Sequence, residues 1–143
     1  MVRTSQKESV QLSVLEKTVK TEVVCPNDTN PMGILQGGRL VQWMDIAAAV
    51  SAQTYAGCIC VTVSIDSVSF KHPARVGDIL IIEAEVTRVF RTSMVIAVKA
   101  WASAVGQKNR KLISNSDFVF VAINKKGKPT PLTPRKQNQQ AGK

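Results

Sequence analysis

The sequence predicts an α+β fold, a long central helix wrapped by an antiparallel β-sheet, and three observations predict it. From Arg39 to about Tyr55 there is neither glycine nor proline, and the segment is rich in apolar and small residues. After Gly57, four runs of strand-like composition are joined by connections short enough for antiparallel neighbours. Ahead of the helix stands a single loosely alternating segment. A chain of 143 residues, 44% hydrophobic and 20% charged, has room for one core. The order strand, helix, four strands closes a sheet around that helix.

Each element has its own warrant. Between Val10 and Val24 the apolar positions Val10, Leu12, Val14, Val19 and Val23 alternate among charged residues, as in an amphipathic strand near an edge. Cys25 to Gly33 holds two prolines, a glycine and several turn-forming side chains, and reads as an irregular loop that positions something. The helix carries Leu40, Val41, Trp43, Met44, Ile46 and Val50, a composition for burial nearly all round, over roughly 25 Å. Small residues at Ala47, Ala48 and Ala49 let it approach a sheet closely. Ile59, Val61, Val63 and Ile65 share one parity and Val68 and Phe70 the other, which predicts a β-bulge at Asp66-Ser67. Further strands run from Ile79 to Phe90, from Met94 to Ala102 after a tight connection at Arg91-Thr92, and from Leu112 to Ile123 after a polar link at Gly106 to Arg110. Residues 1–124 thus form one domain without internal repeats. The basic tail, 125–143, is rich in Lys, Pro and Gln and is expected to be ordered only in part. An edge strand and an uncovered outer face predict self-association.

Charge and histidine content narrow the function. Nineteen Lys and Arg against ten Asp and Glu give +9 at pH 7, a balance that suits nucleic acid, anionic lipid or phosphorylated substrates. Six of the basic residues, Lys125, Lys126, Lys128, Arg135, Lys136 and Lys143, lie in the tail with no acid among them, so the body is only mildly basic. A single histidine, His72, excludes any site built on two His ligands and any Ser-His-Asp or Cys-His apparatus that His72 does not itself serve. Hydrolysis here needs a carboxylate. Three cysteines without a Cys-x-x-Cys spacing suit a reducing cytoplasm, and neither a signal peptide nor a long uncharged apolar run argues for export or membrane insertion.

Asp45 is the only charged residue between Arg39 and Asp66, and it lies within the apolar helix beside Trp43 and Met44. An unpartnered carboxylate in apolar surroundings costs several kcal/mol, so Asp45 is paired, hydrogen-bonded or placed at a wet cleft. It is either a general base or nucleophile at a cavity mouth, or a structural acid bonded to backbone or to a Ser or Thr across an interface. Gly37-Gly38, just ahead of the helix, let a ligand come close to free backbone N–H groups where the helix dipole favours negative charge, the outline of an oxyanion hole. A plain tight turn is the alternative.

Four blocks carry a family resemblance: Asn30 to Ala48 around Gly33, Gly37-Gly38 and Asp45; Val61 to Phe70; Val76-Gly77-Asp78; and Arg91-Thr92-Ser93-Met94. In this order and spacing, over about Thr21 to Leu132, the sequence resembles the acyl-CoA thioesterases of the hotdog fold. The resemblance implies an enzyme that hydrolyses acyl-CoA to free acid and CoA, with no cofactor beyond the CoA that substrate and product carry. It implies Asp45 as general base or nucleophile, Asn30 as its partner from the opposite protomer, and Gly37 and Gly38 as oxyanion donors. Arg91, Thr92 and Ser93 match the turn that lies along CoA, where a guanidinium suits phosphate. Lys71 and Arg75 are further phosphate candidates, with a solvated loop as the alternative. Gln36 stands where many relatives carry His, and a glutamine hydrogen-bonds but cannot exchange protons. One hotdog unit per chain implies a homodimer as the minimal unit, and the family implies a homohexamer, a trimer of dimers. A CoA thiolate leaves readily enough for one carboxylate and two N–H donors to suffice.

Other classes fit less well. A non-catalytic acyl-CoA sensor with a hotdog fold is the alternative, but it has no need of Asp45 and Asn30. Nucleic-acid binding through the tail lacks aromatic support, and a hotdog dehydratase would need a better-placed histidine than His72. Trp43 and Met44 are expected in the core, and Cys58 and Cys60 as buried strand thiols.

Overall fold

A computed structural model describes residues 17–132. It contains β1 (Lys17–Val23), a short 3-10 turn (Pro26–Asp28), α1 (Gly37–Ala56), β2 (Cys60–Phe70), β3 (Ile79–Val89), β4 (Ser93–Ser103) and β5 (Lys111–Ala122). The five strands form one antiparallel sheet in the order β1-β3-β4-β5-β2. The fold is therefore the expected helix on an antiparallel sheet, with β1 and β2 as its edges. The expected stretch 10–16 lies outside the described residues.

Alternation decides which face of the sheet the helix covers. Leu80, Ile82 and Ala84 of β3, Met94, Ile96, Val98 and Ala100 of β4, and Phe118 and Phe120 of β5 point inward and are buried. Against them α1 sets Leu40, Trp43, Met44, Ala47, Ala48, Ser51 and Ala52, the spacing of one helical face. Three alanines with no exposed surface bring the helix axis close to the strands. Trp43 and Met44 are core residues, as expected.

The helix departs from expectation in two ways. It starts at Gly37 rather than after Gly38, with Gln36 as its N-cap. Nor is it buried all round: Ile46 and Val50, on the side away from the core, are 42% and 46% exposed. At its other end Gly57 adopts φ 75° and donates its N–H to Gln53 O, a left-handed cap that turns the chain toward β2.

β2 bends as predicted, and at one place more. The register with β5 shifts between Asp66 and Ser69, where Ser67 sits at φ 39°. A second shift falls between Thr62 and Ser64, so the four apolar residues expected in one phase are divided: Val61 pairs with Val121 and Ile65 with Phe118. Ile59, Val61, Val63 and Ile65 are all exposed along this edge.

Residues 124–132 extend the domain past its expected limit at 124. Asn124 Oδ1 accepts the N–H groups of Lys126 and Lys128, Ile123 bridges to Pro129, and Leu132 N–H donates to Arg91 O. The remainder of the tail lies outside the described residues. Among the described residues no helix is long and apolar enough to cross a membrane.

Ser67 is a non-glycine residue at positive φ, a conformation that costs of order 1 kcal/mol for an L side chain. Ser67→Gly is expected to raise the urea midpoint by an amount equivalent to about 0.5–1 kcal/mol, and Ser67→Val to lower it. Equal midpoints for all three proteins would show that the bulge is unstrained.

Candidate active site

Asp45 lies eight residues beyond the start of α1, on the flank of the helix that faces β2. It is half-buried, and Thr62 Oγ1 of β2 donates a hydrogen bond to its Oδ1 at 2.7 Å. Thr62 is the residue that sequence reasoning missed. A pairing across seventeen residues leaves no local signature, and its only trace is a hydroxyl on the strand parity of Cys60, which faces the helix. Among the described residues Oδ2 of Asp45 accepts no hydrogen bond.

The loop before α1 is tightly braced. Asp28 accepts Cys25 N–H at Oδ2 (2.9 Å), faces Arg39 Nε at Oδ1 (3.1 Å), and takes Gln36 N–H on its backbone carbonyl (2.9 Å). It thereby ties the 3-10 turn to the first turn of the helix. Asn30 Oδ1 accepts the N–H groups of Met32 (2.9 Å) and Ile34 (3.1 Å), which leaves its amide hydrogens as the donors of that side chain. Gln36 Nε2 donates to Thr29 O at 3.3 Å, so it too holds the loop. Within the described residues no hydrogen bond joins Asn30 to Asp45.

The two glycines have different surroundings. A Cβ on Gly37 would stand 3.0 Å from the Phe70 ring, so this glycine allows the end of β2 to close on the helix. A Cβ on Gly38 would meet nothing within 4 Å. Leu40 N–H makes the first bond of the turn, to Gln36 O, and the N–H groups of Gly37, Gly38 and Arg39 have no partner among the described residues.

The five residues assigned to CoA divide into two groups. Lys71 and Arg75 are exposed in the loop that follows β2, at the end of the sheet where Phe70 meets Gly37. Arg91, Thr92 and Ser93 form the β3–β4 turn, whose register with Val121 puts it at the opposite end, beside Cys60. Strands of 11 residues separate the ends by roughly 33 Å. The turn is held by Phe90 N–H to Ser93 O, Ala122 N–H to Thr92 O and Leu132 N–H to Arg91 O.

Cys60 is buried, and burial together with the neighbouring Cys58 pushes its thiol from the usual 9.0 up to about 12. A raised pKa keeps it protonated, so stability linked to this group is retained below about pH 9 and declines as pH rises toward 12. Iodoacetamide at pH 8 is expected to alkylate exposed Cys25 well before Cys60 in the folded protein, read by mass spectrometry; equal rates would contradict this environment.

The chain is similar to known proteins in sequence and in structure. The family model described as the thioesterase superfamily matches residues 32–107. The acetyl-coenzyme A thioesterase of Mus musculus is 36% identical over 74% of this chain, but the chain spans only 15–19% of the length of the mammalian proteins it matches. The acyl-CoA thioester hydrolase YciA of Salmonella typhimurium is 31% identical over 85% of this chain and 97% of its own. Among solved structures, a hexameric acyl-CoA thioesterase in its apo form superposes with a TM-score of 0.80 at 35% identity, covering 90% of this chain and 88% of that one. The acyl-CoA hydrolase of Staphylococcus aureus, solved with butyryl-CoA, CoA and CoA disulfide, gives the same TM-score at 30% identity, covering 90% and 88%. That protein has also been solved as single alanine variants of an Asn, an Asp and a Thr. In sequence and in hotdog fold alike, this chain belongs to the thioesterase superfamily.

Proposed function

We propose that the protein is an acyl-CoA thioesterase that hydrolyses the thioester to free acid and CoA at a site shared by two copies of the chain. The observation that carries this reading is Asp45 held by Thr62 on the helix flank beside the open edge of the sheet. The altered Asn, Asp and Thr of the Staphylococcus protein are spaced by 15 and 17 residues, the same intervals that separate Asn30, Asp45 and Thr62.

In this reading the substrate carbonyl lies between the start of α1 of one copy and Asp45 of the other, because a rise of about 1.5 Å per residue sets Gly37 and Asp45 of one helix roughly 10–12 Å apart. The N–H groups of Gly37 and Gly38 hold its oxygen as negative charge develops, in the positive field of the helix terminus. Thr62 fixes the Asp45 carboxylate through Oδ1 and leaves Oδ2 to take a proton from the attacking water, or to attack the carbonyl itself. The tetrahedral intermediate then expels the CoA thiolate, which leaves the free acid where water attacked, or an acyl anhydride of Asp45 that a water then cleaves to the acid where the carboxylate attacked. Asn30, its oxygen engaged in its own loop, offers its amide hydrogens to the site of the partner copy.

The open edge supports the dimer. Among the described residues β2 has a partner on one side only, and Ile65, which pairs with inward-facing Phe118 and so lies on the helix side of the sheet, is exposed along it, as are Ile46 and Val50 on α1. Antiparallel pairing of this edge with its own copy would cover that surface and extend the sheet. It would also bring the Lys71–Arg75 loop of one copy toward the sheet end of the other that carries Arg91, so both cationic groups could face one CoA. A hexamer, as in the structural relatives described as hexameric, is a trimer of such dimers. The free thiols suit a reducing compartment such as the cytoplasm.

Free-thiol release from acyl-CoAs of graded chain length tests the reaction. Asp45→Asn is expected to lose roughly 100-fold or more in kcat with fold and oligomer size retained. If neither wild type nor variant releases thiol yet both bind CoA, the protein is an acyl-CoA sensor instead. Gly38→Ala separates stability from chemistry. A Cβ there enters open space and alanine is the better helix former, so the thermal midpoint should hold or rise slightly while turnover falls. Turnover equal to wild type would remove Gly38 from the oxyanion site.

A further inference from the structure

Two clefts at one end of the sheet share a wall. The first, about 410 Å³, begins at Gly37 and runs past Ile34, Leu40, Phe70 and Ile113. The second, about 350 Å³, lies between the loop after β2 and the loop before β5, among Arg75, Asp78, Gln107, Asn109 and Lys111. His72, Pro73 and Ile113 line both. The backbone bridge between Ile34 and Arg75, and Leu35 N–H donating to Ala74 O at 2.8 Å, fasten the loop before α1 to the wall between them.

The chemistry changes along this path. Beside the helix start the walls are largely aliphatic and aromatic, with Lys71 at the margin. In the second cleft they are polar and cationic. Arg75 and Lys111 are exposed, and neither enters an ion pair among the described residues. Asp78 is the acid in the lining, and its Oδ2 accepts Arg75 N–H at 2.9 Å, which holds it to its own turn. Gln107 and Asn109 add amide donors and acceptors.

We propose that the second cleft binds the phosphate-bearing nucleotide end of the CoA thioester whose carbonyl lies at Gly37-Gly38, with Lys111 and Arg75 as phosphate ligands. The inference rests on the thioesterase reading and extends it to Lys111, Gln107 and Asn109. The order of surfaces matches the order of the ligand. A carbonyl needs N–H donors, the uncharged pantetheine arm suits a mostly apolar groove, and phosphates need cations that are not already paired. Arg75, from the loop after β2, and Lys111, the first residue of β5, reach this cleft at the same end of the sheet as Gly37. Arg91, at the opposite end of the same protomer, can join them only from a second copy.

The test compares an acyl-CoA with the matching acyl-pantetheine, which carries the same thioester without the nucleotide. Lys111→Glu and Arg75→Glu are expected to raise KM for the acyl-CoA about tenfold and to lower the ratio of the two substrates' kcat/KM by a similar factor. Both variants should weaken binding of adenosine 3′,5′-bisphosphate, measured by calorimetry. Lys99→Glu, an equal charge change on β4 outside either cleft, should move neither quantity. Ratios within about twofold of wild type in both variants would overturn the proposal, as would an equal fall on both substrates, which marks a merely structural role. If wild type hydrolyses neither ester, the thioesterase reading fails, and calorimetry still judges the cleft: bisphosphate binding that Lys111→Glu abolishes upholds it, and binding that is absent or indifferent to the variants refutes it.

Discussion

The seating of α1 on the sheet is the constraint from which the rest of the molecule follows. Ala47, Ala48 and Ala52 have no exposed surface, so the helix lies as near the strands as backbone and methyl groups permit. Closeness along the middle of the helix fixes its two ends. At the first, the Phe70 ring meets Gly37 at a distance a side chain would have to push apart; at the second, Gly57 turns the chain straight into β2. Because β2 is entered so soon after the helix ends, it returns along the helix flank, and Thr62 comes within 2.7 Å of Asp45. A larger residue at any of the three alanines would overpack this contact, which in a close-packed interior costs about 1–3 kcal/mol.

How much was legible in advance depended on whether a signal was local. Asp45 stood out because no other charge lies between Arg39 and Asp66, and the slip of parity at Asp66-Ser67 foretold the bulge seen there. Thr62 did not stand out, since it is one hydroxyl among several in β2 and its partner is on another element. The same limit explains the helix. Composition cannot separate apolar residues that meet a chain's own core from those that await another surface, so Ile46 and Val50 looked like core while they face outward. The second shift, between Thr62 and Ser64, broke a phase that in sequence looked unbroken through Ile65. Of the Gly pair, only placement distinguishes Gly37, pressed against Phe70, from Gly38, which opens on free space.

Charge offers a parallel case. The sequence put the basic excess in the tail and left Lys71, Arg75 and Arg91 as one pool of phosphate candidates. Antiparallel topology divides that pool, because the loop after β2 and the β3–β4 turn fall at opposite ends of the sheet. Phosphate groups on a flexible ligand are drawn to cations within about a Debye length, roughly 8–10 Å at physiological salt, and a strand's length exceeds that several times. A ligand on one protomer therefore senses one group or the other, unless a second copy contributes the missing one.

The unfinished look of the proposed site and the exposed edge of the sheet are one feature. A carboxylate that works as a base on water gains from a setting that limits water to the reacting molecule, because each attraction within the site strengthens as solvent leaves. Asp45 in a single protomer is only half-buried, and the apolar side chains exposed on the helix side of the molecule include Ile65 of β2 and Ile46 and Val50 of α1. A polar rim there would have left the protomer soluble and the carboxylate wet. On the proposed reading an apolar rim favours a second chain, which would dry the site and bring its own braced loop, with Asn30 held by Met32 and Ile34, toward the carbonyl. On the proposed reading association is a step in building the catalytic centre, and one carboxylate, one amide and two backbone N–H groups would serve there without a histidine relay.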